Sequence, residues 1–552
     1  MNFAENETAE KLRGGFYTEP DIASFLVRWV SALKPVTILE PSCGDGAFLS
    51  AIEDQHVTSM ERVTAFEINA DEAEKARQRT SPSACITTTD FLRWFLLHSM
   101  KHEGFDAVVG NPPFIRYQYL PDEQQSFAQE IFRQLKLPFK KHTNAWVPFV
   151  LASIKLLRPG GRLAMVIPSE IFHIPHAISL RHYLAEECSR ILILDPEEIW
   201  FIHTLQGTVL LLAEKKKEEA ERGLGVAVVR VSNRSILRGD PEPYFQKAVY
   251  ADGVTIQRKW MTVFLSNSER ALVENLRQSD KVKTFVELAS VDVGIVTGAN
   301  KFFLVPDSVV DKFALGRWAH PMFGRSYHVK GLVYSSEDHS ANKQSGLPAN
   351  FLWFSGIEGQ VPEQAKEYLA IGLAQKINTR YKCRTRSPWY TVPSVYKARI
   401  GMLKRANDYP RLILNEANAY TTDTAYRIQP INIDAASLVL SFVNSLTCLM
   451  AELEGRHYGG GVLELVPSEI ERLLVPVVHA SLSQLKEADQ RFRDARNRTE
   501  FLLQQDAQIL GGIGLTVQEQ QDLHSAWSRL RNRRQRISSL PSDQEVPDTE
   551  ED

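Results

Sequence analysis

Four consecutive residues, Asn111-Pro112-Pro113-Phe114, join an amide, two conformationally locked residues and an aromatic ring directly after the apolar run Phe105 to Val109 and Gly110. Two prolines fix φ and leave carbonyls with no helix or sheet partner nearby. Such a turn presents the Asn111 side-chain oxygen and the Pro112 carbonyl as two acceptors converging on one –NH2 group. Accepting both hydrogens draws the amine towards sp³ geometry and localises its lone pair for attack on a methyl sulfonium, by positioning and electrostatics alone. Asn111 is no general base, and no Pro-Cys pair accompanies it, so thiolate-dependent carbon methylation is disfavoured. Phe114 is placed to stack on the acceptor ring. A proline-rich loop that merely caps a strand is the competing reading, but Asn-Pro-Pro-aromatic at this place in the strand order is a specific signal.

A donor site precedes this turn. The apolar run Val36 to Leu39 ends in Glu40 and enters Pro41-Ser42-Cys43-Gly44-Asp45-Gly46, a glycine turn that lets a ligand approach backbone N–H groups. Glu67 ends the next apolar run, 67 − 46 = 21 residues on, near the spacing at which an acid accepts from a ribose hydroxyl. Asp90 follows Thr87-Thr88-Thr89 where a third strand ends. These three strand ends describe an adenosine-containing cofactor. Leu49 stands where a dinucleotide fingerprint needs its third glycine, and the run Gly294 to Lys301 fails the P-loop pattern. A cofactor without a pyrophosphate fits better.

The elements that must carry these residues are legible in the periodicity. Ile22, Phe25, Leu26, Trp29, Val30 and Leu33 recur at helical spacing behind Pro20. Strands are predicted at Val36–Leu39, Val63–Phe66, Phe105–Val109, Leu163–Ile167, Ile191–Leu194 and Val209–Leu212, with helix-length segments between most of them. This is the α/β pattern of a largely parallel, doubly wound Rossmann-like sheet. The rhythm changes after the charge run Lys215 to Glu219, which reads as a solvated boundary segment. The predicted division is 1–245 catalytic, 246–480 mixed α+β, 481–537 helical and 538–552 an acidic, disordered tail.

These residues resemble the class I N6-adenine DNA methyltransferases of restriction-modification systems, strongly over about the first 210 residues. The order of segments is similar to the gamma arrangement, with target recognition after catalysis. The resemblance implies S-adenosylmethionine held by Phe16, Tyr17, Thr18, Glu40, Pro41, Cys43, Gly44, Gly46, Glu67, Ile68, Asp90, Phe91 and Asn111, with Asn111 to Phe114 as the catalytic tetrapeptide. It also implies a flipped adenine in double-stranded DNA, stacked by Phe114 and by a second aromatic, Trp200 or, favoured slightly, Phe201. The runs at 294–302, 388–390, 411–415 and 455–464 resemble the family's recognition domains, though less specifically.

A net charge of −3 means that any phosphate-binding face is a local patch. One candidate runs from Lys382 to Arg411 with Asp408 as its only acid; within it, Arg384, Arg386, Arg399, Lys404 and Arg405 are the expected DNA contacts. Arg116 and Tyr117 are placed to grip the strand beside the acceptor, and a second basic run, Arg529 to Arg536, reads equally as a helix end or a DNA contact. No metal is expected, since Pro175 separates His173 from His176 without an acidic third ligand. Five scattered cysteines, an acidic start and no bilayer-length apolar run point to the cytoplasm. The resemblance implies a cognate restriction endonuclease or defence-system subunits as partners. Rival readings are a methyltransferase of release-factor glutamine or ribosomal guanine, a fused restriction-modification enzyme, and a non-catalytic DNA-binding subunit. The long C-terminal half favours DNA over the first, and the lack of a separate acidic nuclease core disfavours the second.

Overall fold

The computed structural model describes residues 17–55, 62–80, 84–198, 200, 207–252, 259–354, 363–458 and 460–535. Phe16, Phe201 and the expected tail at 538–552 lie outside them. The chain divides into two compact units, with the break between Phe264 and Leu265.

The first unit is built on eight strands: β1 (Thr37–Glu40), β2 (Arg62–Glu67), β3 (Ala84–Thr88), β4 (Phe105–Gly110), β5 (Leu157–Pro168), β6 (Cys188–Pro196), β7 (Thr208–Lys215) and β8 (Gly225–Val231). Their order across the sheet is β3-β2-β1-β4-β5-β7-β6-β8. All six predicted strands are present. β3 is an edge strand with three of its five residues exposed, so no apolar run announces it. β8 follows the charge run that suggested a boundary and extends the sheet past it. Only β7 runs against its neighbours. Pro196 and Thr208 leave too short a connection for a helical crossover, which takes a dozen residues or more, so the chain turns back antiparallel.

Both faces of the sheet are buried, which explains the near-continuous apolar runs. Ile38, Ala107, Val109, Ala164, Val166, Leu192, Leu194, Leu210 and Leu212 face one layer with helix α1 (Pro20–Ser31) and helix α2 (Ala47–Asp54). The intervening Leu39, Val108, Met165, Ile193 and Leu211 are equally buried on the other face. The strand order reverses between β1 and β4. At the amino end of that seam Asp106 Oδ2 accepts from the backbone N–H groups of Val36 and Thr37, each at 2.9 Å, and Oδ1 from Arg158 Nη1 at 2.9 Å.

The second unit holds a five-stranded sheet, in the order Ala289–Val293, Ala425–Pro430, Ile400–Leu403, Leu412–Asn415 and Val333–Tyr334, beside smaller sheets. The C-terminal helices Leu482–Asp494, Arg498–Gly512 and Val517–Gln535 belong to this unit. Their arginines act as braces. Arg529 reaches Glu269 at 2.7 Å and Arg534 reaches the fully buried Glu452 at 2.7 Å, so these two members of the basic run at 529–536 serve the fold instead of contacting DNA. Among the described residues no single helix is long and apolar enough to cross a membrane.

Arg162 on β5 is one of the buried charges of the first unit. It pairs bidentately with Glu242 at 2.8 and 3.0 Å, donates to the Trp29 carbonyl at 2.9 Å and lies 4.6 Å from the centroid of the Trp29 ring. Glu242 is only partly buried and water can reach it once Arg162 is gone, so the loss is smaller than the about 3–5 kcal/mol of breaking a fully buried pair. We therefore expect Arg162→Leu to lower the urea midpoint of the first unit, followed by tryptophan fluorescence; an unchanged midpoint sinks this account.

Candidate active site at the strand-order reversal

Where strand order reverses in an open α/β sheet, the chains leaving the carboxyl ends diverge and a crevice forms. β1 and β4 flank that point, paired Ile38 to Ala107 and Leu39 to Val108, so Glu40 and Asn111 leave neighbouring strands together. Gly110 is needed because a Cβ there would meet Pro41 Cδ at 3.3 Å. Gly46 adopts φ +94° with Ala76 Cα 3.1 Å from the place of its missing Cβ, which lets the turn press on helix α3 (Ala70–Arg79).

On the donor side, Glu67 organises the glycine turn. Its Oε2 accepts from Gly44 N–H at 3.0 Å and its Oε1 from Asn69 N–H at 2.8 Å. Burial raises its pKa from the ordinary value, opposed by those two N–H groups. A carboxylate has about four lone-pair sites, so two remain for ligand hydroxyls. Glu40 is fully buried, and neither of its oxygens has a hydrogen-bond partner among the described residues. Burial, then the charges of Glu67 and Asp45, hold its pKa well above the usual value. A buried carboxyl is satisfied by a cation that donates hydrogen bonds, so this pocket fits a ligand ammonium beside a hydroxylated ring.

The third strand end is shared with the fold. Asp90 caps helix α4 (Phe91–His98), its Oδ1 accepting from Leu92 N–H at 2.7 Å, while its Oδ2 accepts from Gln124 at 3.1 Å. The Phe91 ring is buried against Phe66 and Phe149, so only its backbone is left to face a ligand. Burial, with Glu40 and Glu67 close by, pushes the Cys43 thiol far up, so it acts as a small apolar wall. Ile68 and Tyr17 are exposed, and Pro41 is buried.

On the acceptor side, Asn111 is gripped at both ends. Its Nδ2 donates to Thr18 Oγ1 at 3.1 Å, and its backbone carbonyl accepts from Ser42 Oγ at 3.2 Å. Committing the NH2 end to Thr18 turns the Oδ1 end the opposite way. Pro112 is buried, and Phe114 is half-buried against the core of that face. Trp200 is only 3% exposed and belongs to the same core, so the stacking role offered for it is withdrawn, since a base cannot reach a ring packed on all sides.

Arg116 is exposed, and Tyr117 N–H donates to Asn144 Oδ1 at 3.4 Å. Asn144 in turn donates to the buried Glu170 at 3.2 Å. Neither Asn144 nor Glu170 stood out in the sequence; the only signal was an acid directly past the end of a long apolar strand. In the second unit Arg384 and Arg399 are exposed. Arg386 instead braces a loop, donating to the Thr297 and Val296 carbonyls at 2.7 and 2.8 Å, while Lys404 and Arg405 both pair with Glu464, at 3.3 and 2.9 Å. Of the basic run, therefore, Arg386 is structural, and Lys404 and Arg405 have their charge partly spent.

Residues 46–200 match the family model described as Eco57I restriction-modification methylase, and residues 257–510 match that of the Type II methyltransferase M.Eco57I, C-terminal domain. The chain is similar to the Type II methyltransferase M.AccI of Acinetobacter calcoaceticus, 23% identical over 471 residues that cover 83% of this chain and 84% of that protein. It is also similar to M.XamI of Xanthomonas campestris pv. amaranthicola, 22% identical over 480 residues, covering 84% and 85%. The solved DrdV–DNA complex superposes with a TM-score of 0.48 and 12% identity, covering 89% of this chain and 58% of that one.

Glu170 sets a pH dependence. Burial raises its carboxyl from the ordinary 4.5 to about 7, against the pull of Arg116 and Asn144. The native state therefore holds a proton that the unfolded chain has released, and stability falls as pH rises from about 4.5 to about 7. We expect Glu170→Gln to flatten that part of the thermal-midpoint profile; parallel profiles for the two proteins rule it out.

Proposed function

Because the chain is a DNA methyltransferase of the Eco57I restriction-modification type that uses S-adenosylmethionine, we propose that its acceptor is the N6 amine of adenine within a specific double-stranded sequence. The observation that carries this reading is the oriented amide of Asn111, with Nδ2 on Thr18 and the backbone carbonyl on Ser42. An amide turned in this way, followed by the Pro112 carbonyl, offers two acceptors to one exocyclic amine. An amine paired inside a duplex is out of reach, so the target adenine is flipped out of the stack.

In this reading Glu40 receives the cofactor's amino group, Glu67 its ribose hydroxyls, and Asp90 with the Phe91 backbone its adenine; Tyr17, Thr18, Gly44 and Gly46 line the remainder. S-adenosylmethionine supplies an electrophilic methyl group. Asn111 and Pro112 accept the two amine hydrogens and hold the nitrogen lone pair towards the donor side. Phe114 stacks on one face of the flipped base and Phe201 is assigned to the other. Neither oxygen acceptor is a base, so the surplus proton leaves to water. Arg116, Arg384 and Arg399 contact the DNA.

Two measurements test this reading. Nucleoside mass spectrometry of DNA from an expressing host without adenine methylation should detect N6-methyladenine, and single-molecule sequencing of the same DNA should confine it to one short sequence; methylated cytosine alone would overturn the assignment. Asn111→Ala should lower kcat by about 10²–10³-fold, as loss of a preorganised transition-state contact does, while cofactor and DNA affinities stay within a few-fold. Retained turnover in that variant removes Asn111 from the mechanism.

A further inference from the structure

From Ile131 to Ser169 the chain contains no aspartate or glutamate. Its first part is a surface loop that follows helix α5 (Asp122–Gln134) and carries Lys136, Lys140, Lys141 and His142, all exposed. Arg133 just before it is already paired with Glu130 at 2.7 Å. Lys136, Lys140 and Lys141 make no ion pair among the described residues, and the acid next along the chain, Glu170, is buried.

The loop has a fixed shape. Lys136 and His142 adopt φ of +57° and +78°. The Pro138 carbonyl accepts from Ser179 Oγ at 2.7 Å, and the Lys140 carbonyl from Thr143 Oγ1 at 2.6 Å. Phe139 packs edge-on to Phe132 with centroids 5.2 Å apart. Non-glycine residues adopt the left-handed region only where surrounding contacts hold them there, so the loop is built and not merely tolerated.

The same loop is tied to the segment just past the acceptor turn. Ala145 N–H donates to the Ile115 carbonyl at 2.9 Å, Asn144 Oδ1 accepts from Tyr117 N–H at 3.4 Å, and the His142 ring meets the Tyr117 ring edge-on with centroids 5.8 Å apart. Unpaired lysines are thus held beside the residues that follow Phe114. Lysine is a compact charge with three donors on a flexible stem, suited to a phosphate oxygen and not to reading a base edge. In a chain of net charge −3, attraction to a polyanion has to come from such a local patch.

We propose that Lys140 and Lys141, with Lys136 beside them, form a phosphate grip on the DNA strand that carries the acceptor base, kept in register with the acceptor turn by the bonds of Asn144 and Ala145. This rests on the DNA-methylation reading given above. Contacts to phosphate position the strand and carry no sequence information, so the grip serves any target sequence equally.

The test is the salt dependence of binding of the full chain to a fluorescently labelled 30-base-pair duplex. Each lost phosphate contact removes about 0.9 from the slope of log K against log salt, so Lys140→Ala/Lys141→Ala should flatten it by about 1.8. Lys140→Arg/Lys141→Arg should restore the wild-type slope, and Lys155→Ala, exposed at the amino end of β5 and away from the carboxyl ends that carry the site, should leave it unchanged. A double-alanine variant that melts like wild type yet keeps the full slope overturns the proposal, as does an equal loss in Lys155→Ala or in the arginine pair. The methylated nucleoside is read independently on the wild-type protein. A flattened slope with methylcytosine as product keeps the grip and discards adenine; N6-methyladenine with an unaltered slope does the reverse.

Discussion

At the seam between β1 and β4 the chain leaves the two strands in opposite directions, and no third strand among the described residues covers the gap. The polar groups at those carboxyl ends therefore look into a crevice instead of a ladder. Glu40 and Asn111 are where they are because of this single topological fact. The remaining site residues either hold that seam to its shape or shield it. Gly110 lets β4 approach Pro41, Ser42 bridges across to the Asn111 carbonyl, and Thr18 fixes the direction of the amide.

The two sides of the crevice solve opposite electrostatic problems. The donor side gathers carboxyl groups in a buried place, where Glu40 and Glu67 both have raised pKa values because desolvation penalises their charge. That arrangement is costly by itself and is relieved by a cationic ligand. The acceptor side has no such burden: amide and carbonyl oxygens are neutral, and they act by direction. A positively charged cofactor beside a neutral amine is matched by this division of labour.

The sequence read well where physics is local. Strands buried on both faces must be apolar throughout, and a glycine turn followed by acids at strand ends leaves a pattern in one dimension. Edge strand β3 left no such pattern because three of its five residues face solvent. Side-chain fate was harder to foresee. Trp200 and Phe201 are indistinguishable as letters, yet Trp200 belongs to the core. Arg386 and Arg384 are two residues apart, but one braces the carbonyls of Val296 and Thr297 while the other is exposed, and only the fold brings residues 296 and 386 together. Asn144 and Glu170 escaped notice for the same reason, since their partnership spans 26 residues.

Asp106 gives the seam a mechanical asymmetry. It ties Val36 and Thr37 to β4 at the amino end, whereas the carboxyl end is bridged by the lighter contact of Ser42 with Asn111. The amides of Val36 and Thr37 are thereby held by a side chain of β4, so their exchange reports opening at the amino end of the seam. Exchange at Cys43 and Gly44 instead responds to occupancy of the crevice, which makes those two amides natural reporters of ligand capture.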